Sequence, residues 1–323
     1  MRIAIIGAGI SGITAARELS NYAEVVIFEK SRGVGGRMST RYAGVHEFDH
    51  GAQYFTASTE EFLSVVSSMI DQEIVQRWPA RAQYLKSGSY EKDTGKDRFV
   101  GTPRMNQVPK FLARDLNINT EHRVLRIEKV NNSWILSFDD QQASDPFDWL
   151  VIAIPAPQAT TLLTGNKVLQ SLGDVRMNAC FSLMLGFDKS IDVGWDTLRV
   201  DHDPVSWIAV NSAKPGRHKQ YGTLVVQTSE TWSNRHQEYD LPWIQSSLET
   251  VTSSLTGLNV ATAPFRKLHR WLYASNANTP HGVPVSVPED QIGICGDWRE
   301  GGRVEGAFLS GRRIAHEIIK HIR

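Results

Sequence analysis

Gly7-Ala8-Gly9-Ile10-Ser11-Gly12 is the stretch on which the fold turns. It meets the G-x-G-x-x-G spacing, and its neighbours supply the context that this spacing needs. Ile3 to Ile6 is a short β-branched run that predicts a buried strand. Ile10 to about Leu19 reads as a helix, and Val25 to Phe28 as a second buried strand ending at Glu29. Strand, tight glycine turn, helix and strand open a doubly wound sheet. Gly7 makes the turn, Gly9 lets a pyrophosphate approach the backbone, and Gly12 lets helix and strand pack closely. The free N–H groups at the helix start then receive phosphates. Glu29 stands at the end of the second strand, where its carboxylate can accept from the adenosine ribose hydroxyls and disfavours a 2′-phosphate. These features predict a dinucleotide site without separating NAD from FAD.

Two further segments favour FAD. Arg32-Gly33-Val34-Gly35-Gly36-Arg37-Met38 follows the acidic residue and brings flexible backbone and two guanidinium groups beside the expected pyrophosphate. A plain NAD domain has no need of it. Near the other end, Gly296-Asp297 follows the strand-like run Ile292 to Cys295, and Arg303-Val304-Glu305-Gly306-Ala307 opens a helical run that continues to Ile322. In a flavin reading Asp297 accepts from a ribityl hydroxyl, and the helix N-terminus faces the pyrimidine edge of the isoalloxazine.

Between these ends the texture changes. Phe62 to Ile70 and Val108 to Leu116 read as helices, Trp78 to Asp97 as polar and turn-rich, and Arg123 to Val130 with Ser133 to Phe138 as a hairpin. Trp149 to Ile154 is a buried strand stopped by Pro155. Beyond Thr160, strands such as Ala179 to Phe187 and Tyr221 to Thr228, a helix near Trp243 to Leu258, and five tryptophans (Trp195, Trp207, Trp232, Trp243, Trp271) suit a mixed sheet over an aromatic pocket. The expected architecture is α/β. A discontinuous Rossmann-like FAD-binding domain takes residues 1–75, 98–160 and 275–323, and a second, α+β mixed-sheet substrate domain takes 76–97 and 161–274.

The 35 basic residues balance the 35 acidic ones, so no overall field draws the chain to nucleic acid or an anionic membrane. Cys180 and Cys295 lie far apart in apolar runs and read as reduced core thiols. Met1 to Gly7 already reads as a strand, which leaves no room for a signal peptide, and no run of apolar residues is long enough to span a bilayer. The expectation is a cytoplasmic protein without a nucleic-acid or membrane partner. His46-Glu47-Phe48-Asp49-His50 matches the zinc-protease string H-E-x-x-H. Its alternation predicts a strand instead of the helix that string requires, and no third ligand can be identified. No metal is expected, and no G-x-S-x-G elbow supports hydrolysis.

Taken together, the chain resembles the bacterial members of the renalase family, within the wider group of flavoproteins that includes amine oxidases and p-hydroxybenzoate hydroxylase. The resemblance runs over nearly the whole chain. Its sharpest stretches are residues 30–39, Gly51-Ala52-Gln53-Tyr54-Phe55-Thr56, Pro155-Ala156-Pro157-Gln158-Ala159, His269-Arg270-Trp271-Leu272-Tyr273-Ala274, Cys295-Gly296-Asp297-Trp298 and Gly302-Arg303-Val304-Glu305-Gly306-Ala307. It implies an FAD domain of the p-hydroxybenzoate hydroxylase type, noncovalent FAD, and oxidation of 2- and 6-dihydro-NAD(P) isomers to β-NAD(P)+. Oxygen would reoxidise the flavin to give hydrogen peroxide, and the alternative is a flavin-dependent amine oxidase.

The cofactor set so implied adds Ile10, Ser11, Lys30, Gly36, Arg37, Met38, Gly51, Ala52, Gln53, Tyr54, Val124, Pro155, Gly296, Arg303, Val304, Glu305 and Ala307 to Gly7, Gly9, Gly12, Glu29 and Asp297. The catalytic candidates are Gln53, Tyr54, His269, Trp271 and Tyr273. Hydride transfer asks little of an acid or base, so flat aromatic walls and a few donors suffice. His50 departs from the residue the resembled family usually has there. The partners implied are a dihydronicotinamide dinucleotide and oxygen, and a homo-oligomer is left open.

Overall fold

The structure is a computed structural model and describes residues 1–139, 142–164, 172, 175–278 and 286–322. Parts of the expected segments 161–274 and 275–323 therefore lie outside the described residues. Two sheets organise the chain. The first has the strand order Ser286–Val287, Ile292–Ile294, Trp149–Ile152, Arg2–Ile6, Glu24–Phe28, Asn117–Asn119. All its neighbours are parallel except the pair at the Ser286 edge. A parallel sheet must be covered on both faces, and strand alternation divides its side chains accordingly. Ile3 and Ile5 pack with residues of the helices Ile10–Leu19 and Arg303–Ile322. Ala4 and Ile6 pack with Trp134, Leu136 and Phe138 of the hairpin Val124–Val130 and Ser133–Phe138. The two helices touch closely, and a Cβ on Gly311 would stand 2.3 Å from the Ser11 carbonyl oxygen.

The second sheet has seven strands in the order Phe265–Asn276, Met177–Phe187, Gly222–Thr228, Val205–Val210, Thr197–Val200, Ala82–Lys86, Ser89–Lys92. One face, including Phe181, Leu183, Leu224 and Val226, packs against Ile244 and Leu248 of the helix Leu241–Thr256. The opposite face, including Met184 and Val225, receives Phe48 from the hairpin Thr40–Ala43 and His46–Asp49. His46-Glu47-Phe48-Asp49 is thus a strand, as its alternation predicts.

Two local expectations are corrected. The stretch read as turn-rich from Trp78 to Asp97 contains two strands, joined through Ser87 and Gly88 at φ 49° and 81°, a left-handed turn that matches hairpin twist. The helix expected to reach Leu116 stops at Leu112. Asp115 takes φ 64°, and Asn117–Asn119 leaves to pair with Glu24–Phe28. Among the described residues no helix is long and apolar enough to cross a membrane.

Candidate active site

Strand ends bring Gly7, Glu29, Pro155 and Gly296 to the C-terminal edge of the parallel sheet, where open α/β sheets bind ligands. Gly7 turns at φ 104°, and its missing Cβ leaves room for Ala153, whose carbonyl oxygen would lie 2.7 Å away. A Cβ on Gly12 would stand 2.1 Å from the Gly7 carbonyl oxygen. Gly9 differs: at φ −75° it is not strained, and an added Cβ meets no protein atom within 4 Å. Gly36 faces it, with an added Cβ 3.8 Å from the Gly9 Cα. The helix that begins at Ile10 has neither a side-chain cap nor an acidic residue in its first turn, so its N–H groups remain available to an anion. Open backbone and free donors together fit the pyrophosphate of FAD.

Glu29 is buried. Its carboxylate accepts from the backbone N–H of Ala8 at 2.9 Å and of Ser31 at 2.8 Å, so it fixes the glycine turn. Ile10 and Ser11 are buried in the first helical turn, and Lys30 is exposed. Val124 starts the strand reached through His122, whose N–H donates to the Glu29 carbonyl at 2.9 Å.

Arg37 forks onto Asp297, with Nη1 at 3.0 Å from Oδ2 and Nη2 at 2.5 Å from Oδ1. Nη1 also donates to the Ala274 carbonyl at 2.9 Å. That carbonyl belongs to the stretch between Trp271 and Ser275, where the strand slips register against Met177–Phe187, and a bulge leaves a carbonyl free of the ladder. Tyr273 lies in the same slip. Arg37 therefore ties the glycine-rich loop, the Gly296 turn and the second sheet together. Beneath it, the N–H of Ala52 donates to the Arg37 carbonyl at 2.9 Å, and a Cβ on Gly51 would stand 2.0 Å from that oxygen. Met38 is buried. Val304 and Ala307 pack in the same apolar cluster as Met38, and Arg303 opens the last helix at φ 69°. Glu305 Oε1 accepts from the backbone N–H groups of Ser58 and Thr59 at 2.9 and 2.7 Å, which anchors the helix Glu60–Asp71.

Residues 50–54 run along one row of the second sheet. The register places His269, Ser182, Gln227 and Trp207 side by side across four strands. His50 packs on His269 and Trp271 with ring centroids 4.9 and 5.2 Å apart, and Trp271 Nε1 donates to the His50 carbonyl at 3.0 Å. Gln227 Nε2 donates to the Gly51 carbonyl at 2.7 Å. Tyr54 lies 5.4 Å from the Trp207 ring, with the Arg98 guanidinium over both. Ser182 Oγ and Trp207 Nε1 are buried without a hydrogen-bond partner. Ser182 and Gln227 do not stand out as site residues in the sequence, because register alone aligns them, and Trp207 is marked there only as one of five tryptophans suited to an aromatic pocket.

Hairpin alternation turns Asp49 to the other side, into a buried ion cluster. Its Oδ2 lies 3.2 Å from Lys214 Nζ and 2.5 Å from Arg217 Nη2, and its Oδ1 accepts from Thr40 Oγ1 at 2.8 Å and the Met105 N–H at 3.0 Å. Burial alone would raise its pKa, but Lys214 and Arg217 outweigh burial and hold it far below the carboxylate range. Gln53 joins this cluster: its Oε1 accepts from Lys214 Nζ at 3.3 Å and its Nε2 donates to the carbonyls of Asp49 and Gly51. The structure thus places the Gln53 amide among buried charges and separates it from the aromatic row that holds Tyr54, His269 and Trp271.

The two imidazoles at the row's end are both pushed down to about 4 from an ordinary 6.5. For His50 the main cause is burial, followed by His269 and Arg41; for His269 it is burial, then Arg41. Unfolded histidines take protons near pH 6.5 that the folded pair refuses until about pH 4. Stability from this pair is therefore full above pH 6.5 and declines as pH falls toward 4. His50→Gln is expected to flatten that decline in a plot of melting temperature against pH, and parallel profiles for the two proteins would contradict it. Cys295, beside the Gly296 turn, is pushed up to about 12 by burial and stays a thiol.

Residues 86–319 match the family of flavin containing amine oxidoreductases, and residues 5–71 match the NAD(P)-binding Rossmann-like domain. The chain belongs to the flavin-containing amine oxidoreductase family. Its cofactor is accordingly FAD. A 52-residue stretch is 46% identical to the 4,4′-diapophytoene desaturase of Staphylococcus aureus, covering 16% of this chain and 10% of the desaturase. The chain therefore matches only about a tenth of that relative's length. Among solved structures, a candidate protoporphyrinogen oxidase from Exiguobacterium sp. 255-15 superposes with a TM-score of 0.81 at 12% identity, covering 98% of both chains. Cyclohexylamine oxidase from Brevibacterium oxydans IH-35A gives 0.77 at 16% identity, over 99% of this chain and 98% of its own. At such identities the likeness to these two structures is one of fold.

Proposed function

We propose that the chain is an FAD-dependent oxidase of 2- and 6-dihydro-NAD(P) isomers, yielding β-NAD(P)+ and hydrogen peroxide. The observation that carries this reading is the neutral aromatic cluster of His50, His269 and Trp271, set beside the backbone of residues 51–54. Bound FAD supplies the acceptor for the hydride leaving C2 or C6 and passes the two electrons to oxygen. The chain's own task is to hold a flat dihydropyridine in one orientation and exclude others, which needs ring faces and donors more than a catalytic base. His269 and Trp271, with Tyr54 and Tyr273 along the same strands and loop, form the substrate side; Gln53 supports that loop from beneath through Lys214.

In this reading the glycine turn, Glu29, Arg37 and the Gly296 turn hold FAD in a discontinuous domain of the p-hydroxybenzoate hydroxylase type. The seven-stranded sheet carries the substrate residues. The second reading, a flavin-dependent amine oxidase, is favoured by the family itself. Aerobic turnover separates the two. Each dihydro isomer is expected to give one β-NAD(P)+ and one hydrogen peroxide per molecule consumed. Turnover of cyclohexylamine or putrescine while both isomers remain inert would transfer the assignment to the amine oxidase.

A further inference from the structure

Arg41 occupies the hairpin strand Thr40–Ala43 directly opposite Phe48. Cross-strand partners share a face, and alternation puts His50 on that face too. It is the face that meets the second sheet through Phe48 and through the His50 contacts with His269 and Trp271. The Arg41 side chain is half-buried, and its Nε is buried without a hydrogen-bond partner. Among the described residues no carboxylate pairs with it. The acids of the facing hairpin strand are otherwise engaged, Glu47 with Arg104 and Asp49 with Lys214 and Arg217.

A guanidinium keeps its charge at any ordinary pH, and a partly buried one with its Nε unpartnered and no carboxylate beside it among the described residues is only partly compensated. A protein that keeps one beside its substrate side most economically balances it with an anion brought by the ligand. The nearby imidazoles do not supply that anion. Being neutral, each offers one N–H donor and one acceptor, and neither adds to the positive charge. The second face of the same hairpin reinforces the sign, since two cations there share the single carboxylate of Asp49.

We propose that Arg41, assisted by His50 and His269, is the anion-binding subsite of the substrate pocket and receives a diphosphate of the substrate. This rests on the dihydronicotinamide dinucleotide reading and deepens it. The planar fork of arginine matches phosphoryl oxygens two at a time, so Arg41 fixes the dinucleotide end of the molecule while the aromatic cluster fixes the ring. The same charge repels protonated amines and thereby sets specificity between the two classes of hydride donor. Arg270, the other cation in the segment, does not fill this role, because its Nη1 is committed to the Gln237 carbonyl at 2.5 Å.

The test uses FAD-loaded protein and perturbation of the flavin absorbance on titration with three probes: β-NAD+, nicotinamide riboside and inorganic pyrophosphate. Arg41→Met is expected to weaken β-NAD+ and pyrophosphate at least tenfold and to leave the riboside, which lacks the diphosphate, unchanged. Arg41→Lys, which keeps the charge and loses the fork, is expected to recover part of the loss. Wild-type affinity for pyrophosphate should also fall as salt is raised, a result that needs no variant. Equal pyrophosphate affinity in wild type and Arg41→Met, or no pyrophosphate binding by wild type, overturns the subsite. The two readings fail separately: Arg41-dependent pyrophosphate binding in a protein inert to every dihydronicotinamide isomer keeps the anion site and removes the substrate, whereas turnover of the isomers with Arg41-independent binding does the reverse.

Discussion

Replacing Asp49 with alanine is expected to destabilise the FAD-loaded protein by about 3–5 kcal/mol, the cost of leaving buried cations uncompensated. Lys214 and Arg217 are 0% and 8% exposed, so neither can reach water to recover its hydration when the carboxylate is removed. Lys214→Met is expected to cost much less, because Asp49 and Arg217 then remain as a balanced pair and the apolar stem is kept. The pH dependence carries the same sign. Burial pushes Lys214 down to about 8 from 10.5, with Asp49 opposing, so between these values the unfolded chain holds a proton that the folded chain has released. Wild-type stability is expected to rise as pH increases from 8 toward 10.5, and Lys214→Met should abolish that rise. Urea unfolding of the three proteins at pH 7 and pH 9 checks both statements. Equal costs for the two substitutions, or the same pH slope in wild type and Lys214→Met, would contradict them.

Gly9→Ala and Gly12→Ala are expected to fail in different ways. At Gly12 the new methyl meets the Gly7 carbonyl oxygen, 2.1 Å away on a backbone that cannot yield, so the apo protein itself should lose stability and with it the dinucleotide edge. At Gly9 the methyl enters space that no protein atom occupies within 4 Å. The apo protein should melt like wild type, and only FAD should notice. A methyl forced into the contact between backbone and pyrophosphate costs about 1–3 kcal/mol, which is roughly a 5- to 150-fold loss of FAD affinity. Apo melting curves and FAD titration together separate the cases. Wild-type FAD affinity in Gly9→Ala would remove the pyrophosphate from this place.

Much of the dinucleotide edge is legible in local pattern. A strand, a glycine turn and a helix in the first twenty residues are fixed by β-branched residues and glycine spacing, and alternation alone distinguishes the His46–Asp49 strand from a zinc helix. What pattern cannot carry is register between distant strands. His269, Ser182, Gln227 and Trp207 meet because of pairings with no periodic trace in the chain. Lys214 and Arg217 lie 165 and 168 residues from Asp49, and Lys214-Pro215-Gly216-Arg217 reads by itself as a solvated turn. One signal was available: an aspartate on the inward side of a buried hairpin demands a cation from elsewhere. Glu305 and Arg37 show the complementary difficulty. The sequence marks both as cofactor residues, whereas the structure also uses them as ties between segments more than two hundred residues apart.

Oxidation of the 2- and 6-dihydro isomers is read out by anaerobic stopped-flow reduction of the bound FAD. The purified 2- and 6-dihydro isomers of NAD(P) are mixed separately with the protein, alongside ordinary 4-dihydro-NAD(P)H and an amine. A displacement of about 1 Å in a transfer step is worth roughly 100-fold in rate, so a pocket that holds C2 or C6 over the acceptor holds C4 away from it. At least one of the 2- or 6-isomers is expected to bleach the flavin about 100-fold faster than the 4-isomer, with β-NAD(P)+ as product and hydrogen peroxide on admitting oxygen. Fast bleaching by the amine while both isomers leave the flavin oxidised would contradict it.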